Sequence, residues 1–331
     1  MLALTVLITL WWSSLGKSMP IDTTVAQDGS GNFTRIADAI LAAPNYSKRR
    51  YYIKIKEGFY KENIFVGEQK TNLTFVGDGM SKTVISGNKS NGTGFKTYDT
   101  ATAGIDGKGF VAQDITFENT AGPYMNQAVA LRNSAENSAF FRCRFQGYQD
   151  TLYTVIGKQF FRECEIYGTV DFICGNAAVF FQNSIIYAKK PVNLQTNTIT
   201  AQKRENPNEK TGTIMQNCTI KAADDLRQES FKFKTFLGRP WGDLSRTIIM
   251  QSYLDDIIDP KGWLEWNGRS PDRVYYAEYK NEGPGANTGG RVPWEKVINS
   301  SIEATNFTLR NFIEGDKWIP ATGIPFFLDL L

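Results

Sequence analysis

Apolar residues along this chain recur mostly in steps of two, in short runs closed by Gly, Asn or Asp. Steps of two put side chains on alternate faces of an extended strand. Tyr51-Tyr52-Ile53-Lys54-Ile55 and Leu73-Thr74-Phe75-Val76 read as short strands of this kind, each ended by a nearby Gly. One early segment departs from the rule. Phe33, Ile36, Ala37, Ile40 and Leu41 follow helical spacing and Pro44 stops the run, so a short N-terminal helix is expected there.

The strand pattern also repeats. Gln113-Asp114-Ile115-Thr116-Phe117 aligns with Arg142-Cys143-Arg144-Phe145, Glu163-Cys164-Glu165-Ile166, Asn183-Ser184-Ile185-Ile186 and Asn217-Cys218-Thr219-Ile220. One column reads Ile115, Cys143, Cys164, Ser184, Cys218. Two residues later it reads Phe117, Phe145, Ile166, Ile186, Ile220. The spacings of 28, 21, 20 and 34 residues suit coils that carry loops of unequal length. A propeller would need blades of about 40 residues each. The expected fold is all-β: a right-handed parallel β-helix with a short N-terminal helix and projecting loops. The alternative is an ordinary β-sandwich with coincidental spacing.

Stacked coils have chemical consequences. Asp150 and Asp171 are 21 residues apart, and each lies seven residues after a column cysteine, Cys143 or Cys164. One carboxylate is thereby expected above the other. Like charges that close cannot both ionise freely, so one pKa rises, leaving a protonated acid beside a carboxylate. The other reading is that each Asp merely closes a turn beside Gly147 or Gly168. Gln149 adjoins Asp150, and Gln127 lies 22 residues before Gln149, about one coil earlier. Amide donors aimed at one point can stabilise an oxyanion, although a buried Gln more often serves a ladder or loop. Arg239, in Leu237-Gly238-Arg239-Pro240-Trp241, can hold a carboxylate with two parallel bonds. Trp241, Tyr148, Tyr153 and Phe172 can line a sugar-binding groove. Core packing is the alternative for each, more so for Phe172 than for Trp241. Neighbouring strands lie about 4.8 Å apart. Cys143 and Cys164 therefore fall within disulfide reach, while Cys218 meets Ser184 and lacks an obvious partner.

Composition narrows the chemistry. The 331 residues contain no His, which excludes His bases, Ser-His-Asp triads and most zinc sites. Acid–base work must fall to carboxylates, Lys, Tyr or Cys. The net charge of +3 is a mild bias toward anionic partners, and the scattered basic residues argue against nucleic acid. Residues 2–12 form an uncharged apolar run followed by Ser13, Ser14, Gly16 and Ser18. It is short for a membrane span, and residues 1–18 are expected to be a signal peptide. Asn-x-Ser/Thr sequons at Asn32, Asn45, Asn72, Asn88, Asn91, Asn217, Asn299 and Asn306 favour the secretory route. Residues 19–331 hold no linker or low-complexity stretch and read as one domain.

The ordered motifs resemble those of the plant pectinesterases (pectin methylesterases). They are Gly58-Phe59-Tyr60-Lys61-Glu62, Gln127-Ala128-Val129-Ala130-Leu131, Gly147-Tyr148-Gln149-Asp150-Thr151-Leu152-Tyr153, Val170-Asp171-Phe172-Ile173 with Gly175-Asn176-Ala177, and Leu237-Gly238-Arg239-Pro240-Trp241. The tail Trp318-Ile319-Pro320-Ala321-Thr322-Gly323 is similar too. The resemblance implies that Asp171 attacks a galacturonate methyl ester while Asp150 protonates the departing methanol and then activates water. It further implies that Gln127 and Gln149 stabilise the oxyanion, Arg239 orients Asp171, and Trp241 and Thr97 contact the sugar. It implies no cofactor and no metal, methyl-esterified homogalacturonan as substrate, and small helical-bundle inhibitor proteins as partners. A secreted, wall-located monomer is expected. Two positions depart from the pattern. Cys174 stands where the family usually has Phe, which removes an aromatic wall beside Asp171. Ser184 replaces a usual Cys and removes a second disulfide. Many members carry a large inhibitor-like region where only about 20 residues precede Thr24 here. Two other readings compete. A polygalacturonase would need a Gly-His-Gly segment that a His-free chain lacks. A pectate lyase would need an acidic calcium cluster, and none stands around 150–171. A weakened, pectin-binding protein is the third reading, motivated by Cys174 and Ser184.

Overall fold

The computed structural model describes residues 20–266 and 270–331; the expected signal peptide at 1–18 lies outside them. Each coil lays one strand into each of three parallel sheets. Among the described residues these sheets hold eleven, eight and seven strands, here called sheets I, II and III. One central coil runs through Ser138–Phe141 in sheet I, Arg144–Gln146 in sheet II and Leu152–Thr154 in sheet III. The next runs through Lys158–Arg162, Glu165–Gly168 and Ile173–Gly175. Every strand pairs in parallel with its counterpart one coil on. The molecule is a right-handed parallel β-helix.

The repeat seen in the sequence is the register of sheet II. Phe117, Phe145, Ile166, Ile186 and Ile220 are successive partners, and all are fully buried. The residue before each member of the Cys column turns the corner from sheet I. Asp114, Arg142, Glu163, Asn183 and Asn217 all take left-handed backbone, with φ between 48° and 60°. That conformation normally costs a non-glycine residue about 1 kcal/mol. The stacking of the coils on both sides holds it in place.

The expected Cys143–Cys164 bridge is not formed. Both thiols are free and buried, as are Cys174 and Cys218. Stacking does bring their backbones together: Glu165 N–H donates to Cys143 O at 2.9 Å and Ile185 N–H to Cys164 O at 2.8 Å. The side chains, however, follow the same pleat side by side. Cys143 Sγ lies 3.5 Å from Phe141 O, and Cys164 Sγ lies 3.4 Å from Phe140 O. A disulfide needs the two Cβ–Sγ vectors to converge with a torsion near 90°.

Inside, the coils are pinned by stacked rings. Phe140 and Phe161 lie 4.7 Å apart at 7°, and Phe161 and Phe181 lie 4.8 Å apart at 21°. Phe145 meets Phe161 edge-on at 5.6 Å. The same column continues through Met215 and Ile249 to Glu278. There the apolar filling stops. Arg291 Nε donates to Glu278 at 2.6 Å, and Glu295 lies beside the pair. Burial first, and then the Glu278 charge, push the Glu295 carboxyl up to about 8 against the pull of Arg291.

The N-terminal helix covers the first coil. It spans Ile36–Ala42 and buries Ile36, Ala39 and Ile40. Glu62 accepts its first free N–H groups, from Ile36 at 2.9 Å and Ala37 at 3.1 Å. The C-terminal helices Ser301–Thr305 and Leu309–Ile313, with the tail after them, pack on the outer face of sheet I. Gln182 and Gln216 reach out from that face to tail carbonyls of Phe327 and Asp329.

Removing one ring from the stack should be costly. Phe161→Ala is expected to destabilise the fold by about 3–5 kcal/mol, read from denaturant unfolding. A loss below about 1 kcal/mol would show that the column is not what holds the coils together.

Candidate active site

Sheet III faces the cleft. Its outward side chains stack in register across successive coils: Arg132, Tyr153, Cys174, Ala201 and Arg239. Three residues before Tyr153, Cys174 and Ala201, at the corner entering the sheet, stand Asp150, Asp171 and Thr198. Their alignment follows from the pairing of Leu152 with Ile173 and of Ile173 with Thr200. Main-chain bonds stitch the corner, with Asp150 N–H donating to Val170 O at 3.1 Å and Leu152 N–H to Phe172 O at 2.8 Å. Both aspartates adopt left-handed backbone, φ 59° for Asp150 and 51° for Asp171. Strain of this kind gathers where a side chain must be aimed at a fixed point.

Asp171 is firmly held. Arg239 grips it with two parallel bonds, Nε to Oδ1 at 2.8 Å and Nη2 to Oδ2 at 2.7 Å. Thr198 accepts the Asp171 N–H at 2.9 Å and donates its hydroxyl to Oδ1 at 2.7 Å. Only 8% of the Asp171 side chain is exposed. Burial pulls the Arg239 pKa down, but the Asp171 bonds more than offset it and the net direction is up. Arg239 also lies 4.5 Å from the ring centre of Trp266. Its strand presses close to the one below, because a Cβ at Gly238 would stand 1.9 Å from Thr200 Oγ1. Only glycine permits that approach.

Asp150 is placed differently. It is half-buried at the cleft floor. Burial first, and the Asp171 charge second, raise its pKa well above the usual carboxylate range, opposed by Arg239. The corner thus holds one carboxylate locked by an arginine and one carboxyl that favours its protonated form. The Cys174 thiol beside them is also pushed up, by burial and then by both aspartates, and stays neutral.

The cleft measures about 350 Å³. Gln127, Gln149, Asp150, Asp171, Thr97 and Trp241 all line it, with Tyr98, Tyr153, Cys174, Ala201, Lys203 and Trp266. Trp241 and Trp266 stack at 6.3 Å and 19°, and Tyr153 leans on Trp241 at 6.3 Å. Ala128 N–H donates to Gln149 O at 3.1 Å, which sets the two glutamines one coil apart.

Two expected groove residues are elsewhere. Phe172 is fully buried in the core. Next to the outward Asp171, the pleat turns it inward, and a Cβ at Gly168 would meet its Cβ at 2.2 Å. Tyr148 is not among the cleft-lining residues; its ring centre lies 3.5 Å from the Lys189 ammonium. Thr198, Tyr98, Lys203 and Trp266 were missed from the sequence. Thr198 follows Asp171 by 27 residues, because the insertion at 189–196 breaks the 20-residue rhythm that would have exposed it.

Fold and cleft together define a parallel β-helix protein with a carboxylate pair set in a sugar-sized groove. Comparison with known proteins places it further. The pectinesterase family pattern matches residues 22–316. A pectinesterase/pectinesterase inhibitor of Prunus persica is 54% identical over 310 residues, covering 92% of this chain and 59% of that protein. A pectinesterase of Citrus sinensis is 50% identical over 324 residues, covering 95% of this chain and 63% of that one. The solved pectin methylesterase from carrot superposes with a TM-score of 0.94 at 47% identity, covering 95% of this chain and 100% of that chain. The chain belongs to the pectinesterase family. It spans less than two thirds of the length of the Prunus and Citrus relatives.

The raised Asp150 pKa has a stability consequence. In the unfolded chain this carboxyl ionises near 3.8. Above that value the folded state retains the proton longer, so the fold's stability falls as pH climbs toward the raised pKa. Asp150→Asn removes this contribution. Its melting temperature should gain on the parent's steadily as pH rises from the acidic range to neutrality. A difference that stays flat with pH would mean that Asp150 ionises normally in the fold.

Proposed function

We propose that this protein hydrolyses methyl esters of galacturonate units in homogalacturonan pectin and releases methanol. The observation that carries the reading is the split corner: Asp171 fixed as a carboxylate by Arg239, beside an Asp150 that favours its protonated form. Family membership and the likeness to carrot pectin methylesterase support the substrate.

The chemistry follows from the bonds present. Asp171 Oδ1 already accepts from Arg239 and Thr198, whereas among the described residues Oδ2 accepts only from Arg239. A carboxylate oxygen has room for about two such bonds, so Oδ2 keeps a lone pair free and is the attacking atom. Its attack on the ester carbonyl forms a C–O bond and moves the carbonyl electrons to oxygen. Gln127 and Gln149 line the cleft where amide donors would meet that oxyanion. Collapse breaks the bond to methoxide, which takes the Asp150 proton and leaves as methanol. The acyl group now sits on Asp171 as an anhydride. Asp150, now ionised, removes a proton from water; the hydroxide attacks the same carbonyl, and the Asp171 carboxylate is expelled. Asp150 ends protonated, ready for another cycle.

Secretion to the cell wall accompanies this reading. Seven sequon asparagines, Asn32, Asn45, Asn88, Asn91, Asn217, Asn299 and Asn306, are exposed. The Prunus relative's name joins enzyme and inhibitor, which supports a pectinesterase inhibitor as a protein partner.

Methanol release from esterified pectin is the direct assay. Asp171→Ala should abolish it, by about 10⁴-fold or more, with the fold intact by circular dichroism. A correctly folded parent that releases no methanol would sink the proposal. Thr198→Val tests the positioning of the nucleophile. It removes one charge-assisted bond to Oδ1 and should lower kcat by about tenfold or more with little change in KM. An unchanged kcat would show that Arg239 alone suffices.

A further inference from the structure

Near its N-terminal end the molecule carries a hollow that the chemistry of the cleft does not use. It lies on sheet II, where the strands Gly58–Lys61 and Thr83–Gly87 pair Phe59 with Val84 and Lys61 with Ser86. Period-two alternation sends Tyr60 into the core and Phe59 out of it, so Tyr60 is fully buried while 46% of Phe59 is exposed. Gly58–Lys61 is also the end strand of its sheet. Edge strands pair readily with other chains, and folds usually cover or blunt them. One exposed Phe alone would mean little; its neighbours give it a role.

The hollow measures about 430 Å³, and Phe59, Lys61, Asn63 and Thr120 line it together with Asn88. Asn88 follows directly on the strand Thr83–Gly87 and opens the sequon Asn88-Lys89-Ser90. It is exposed, and its carboxamide makes no hydrogen bond among the described residues. Three other sequon amides donate within the fold: Asn72 Nδ2 to Ser47 O at 2.8 Å, Asn91 Nδ2 to Phe95 O at 3.2 Å and Asn217 Nδ2 to Asn183 Oδ1 at 2.9 Å. Glu62, also on the wall, is engaged by the N–H groups of Ile36 and Ala37 and is not free to hold a cation. The Lys61 ammonium lies 5.9 Å from the Phe59 ring centre and forms no ion pair among the described residues. The hollow thus sets one apolar ring among a few polar side chains, a lining that suits a sugar ring with an apolar C–H face and a polar rim.

We propose that Asn88 carries an N-linked glycan whose first N-acetylglucosamine folds back into this hollow and covers Phe59. The inference rests on the secretory part of the reading above and is independent of the esterase chemistry. In the secretory compartment the Asn88 amide nitrogen displaces the pyrophosphate of a lipid-linked oligosaccharide. A bond from sugar C1 to the nitrogen forms, the bond from C1 to the phosphate oxygen breaks, and the nitrogen gives up a proton. The sugar is then tethered at the edge of the hollow, so its effective concentration there is high and a weak contact suffices. Its C–H face lies on the Phe59 ring, and its hydroxyl and acetamide oxygens face Lys61 and Asn63. The glycan thereby becomes part of the fold and shields the end strand of sheet II.

The test begins with protein secreted from yeast and glycopeptides mapped by mass spectrometry, in which Asn88 should be occupied. Melting temperatures are then compared for the parent, Phe59→Ala, Asn88→Gln and the double variant. Asn88→Gln should lower Tm by about 2 °C, and Phe59→Ala should cost about 2 °C more in the glycosylated protein than in the Asn88→Gln background. Endoglycosidase trimming to a single N-acetylglucosamine should leave Tm unchanged, because the first sugar makes the contact. A bare Asn88 in protein glycosylated at other sequons would overturn the inference. So would a Phe59→Ala effect that is the same with and without the sugar, or a Tm that falls to the Asn88→Gln value on trimming. Secreted or retained protein with no glycan at any sequon would instead remove the secretory reading on which the inference rests.

Discussion

Every functional feature of this molecule depends on the register between successive coils. Leu152 pairs with Ile173, and Ile173 with Thr200. That alignment alone makes Asp150, Asp171 and Thr198 neighbours. A slip of one residue would turn each outward side chain of sheet III into the core. The register is in turn set by the interior, where the Phe140, Phe161 and Phe181 rings stack and admit no half-step. The site is thus built on strand corners, and its precision comes from packing on the opposite side of the sheet.

Two identical side chains acquire different characters at that corner. Asp171 has an arginine bonded to both oxygens and a threonine bonded to one. Asp150 has burial and a neighbouring negative charge against it. Nothing about the residue type separates them. The difference comes from which coil supplies the next cation: Arg239 arrives two coils beyond Asp171, in register with Ala201, and reaches only one of the pair.

Much of this was legible in the sequence, for definable reasons. The period-two columns from Ile115 to Cys218 and from Phe117 to Ile220 gave the stacking, since a coil must return to the same depth of core each time. The common offset of Asp150 and Asp171 from Cys143 and Cys164 gave the pair. Legibility failed wherever an outcome depended on the direction of a side chain. Phe172 is a neighbour of Asp171 in the chain, yet alternation sends it inward against Gly168. Tyr148 precedes the corner and faces Lys189. Cys143 and Cys164 occupy stacked positions, but their thiols run alongside each other toward carbonyls. Thr198 and Lys203 follow a long loop, and Trp266 arrives from a connection with no periodicity.

The three sheets are of unequal length: among the described residues, eleven strands in sheet I against eight and seven in the others. Sheet I overshoots at both ends, from Thr23–Val25 to Lys296–Val297, and the helix Ile36–Ala42 lies over the first coil. A solenoid with flush ends would present a whole triangular rim of unpaired amides and carbonyls, on which another molecule could continue the winding. Ragged ends offer no such rim. At the far end, the column that begins in aliphatic and aromatic side chains meets the buried ion pair of Glu278 and Arg291, so its apolar filling is closed off before the stack ends. The geometry that makes the coil extendable within one chain is thus halted at its boundaries, and the stack remains finite.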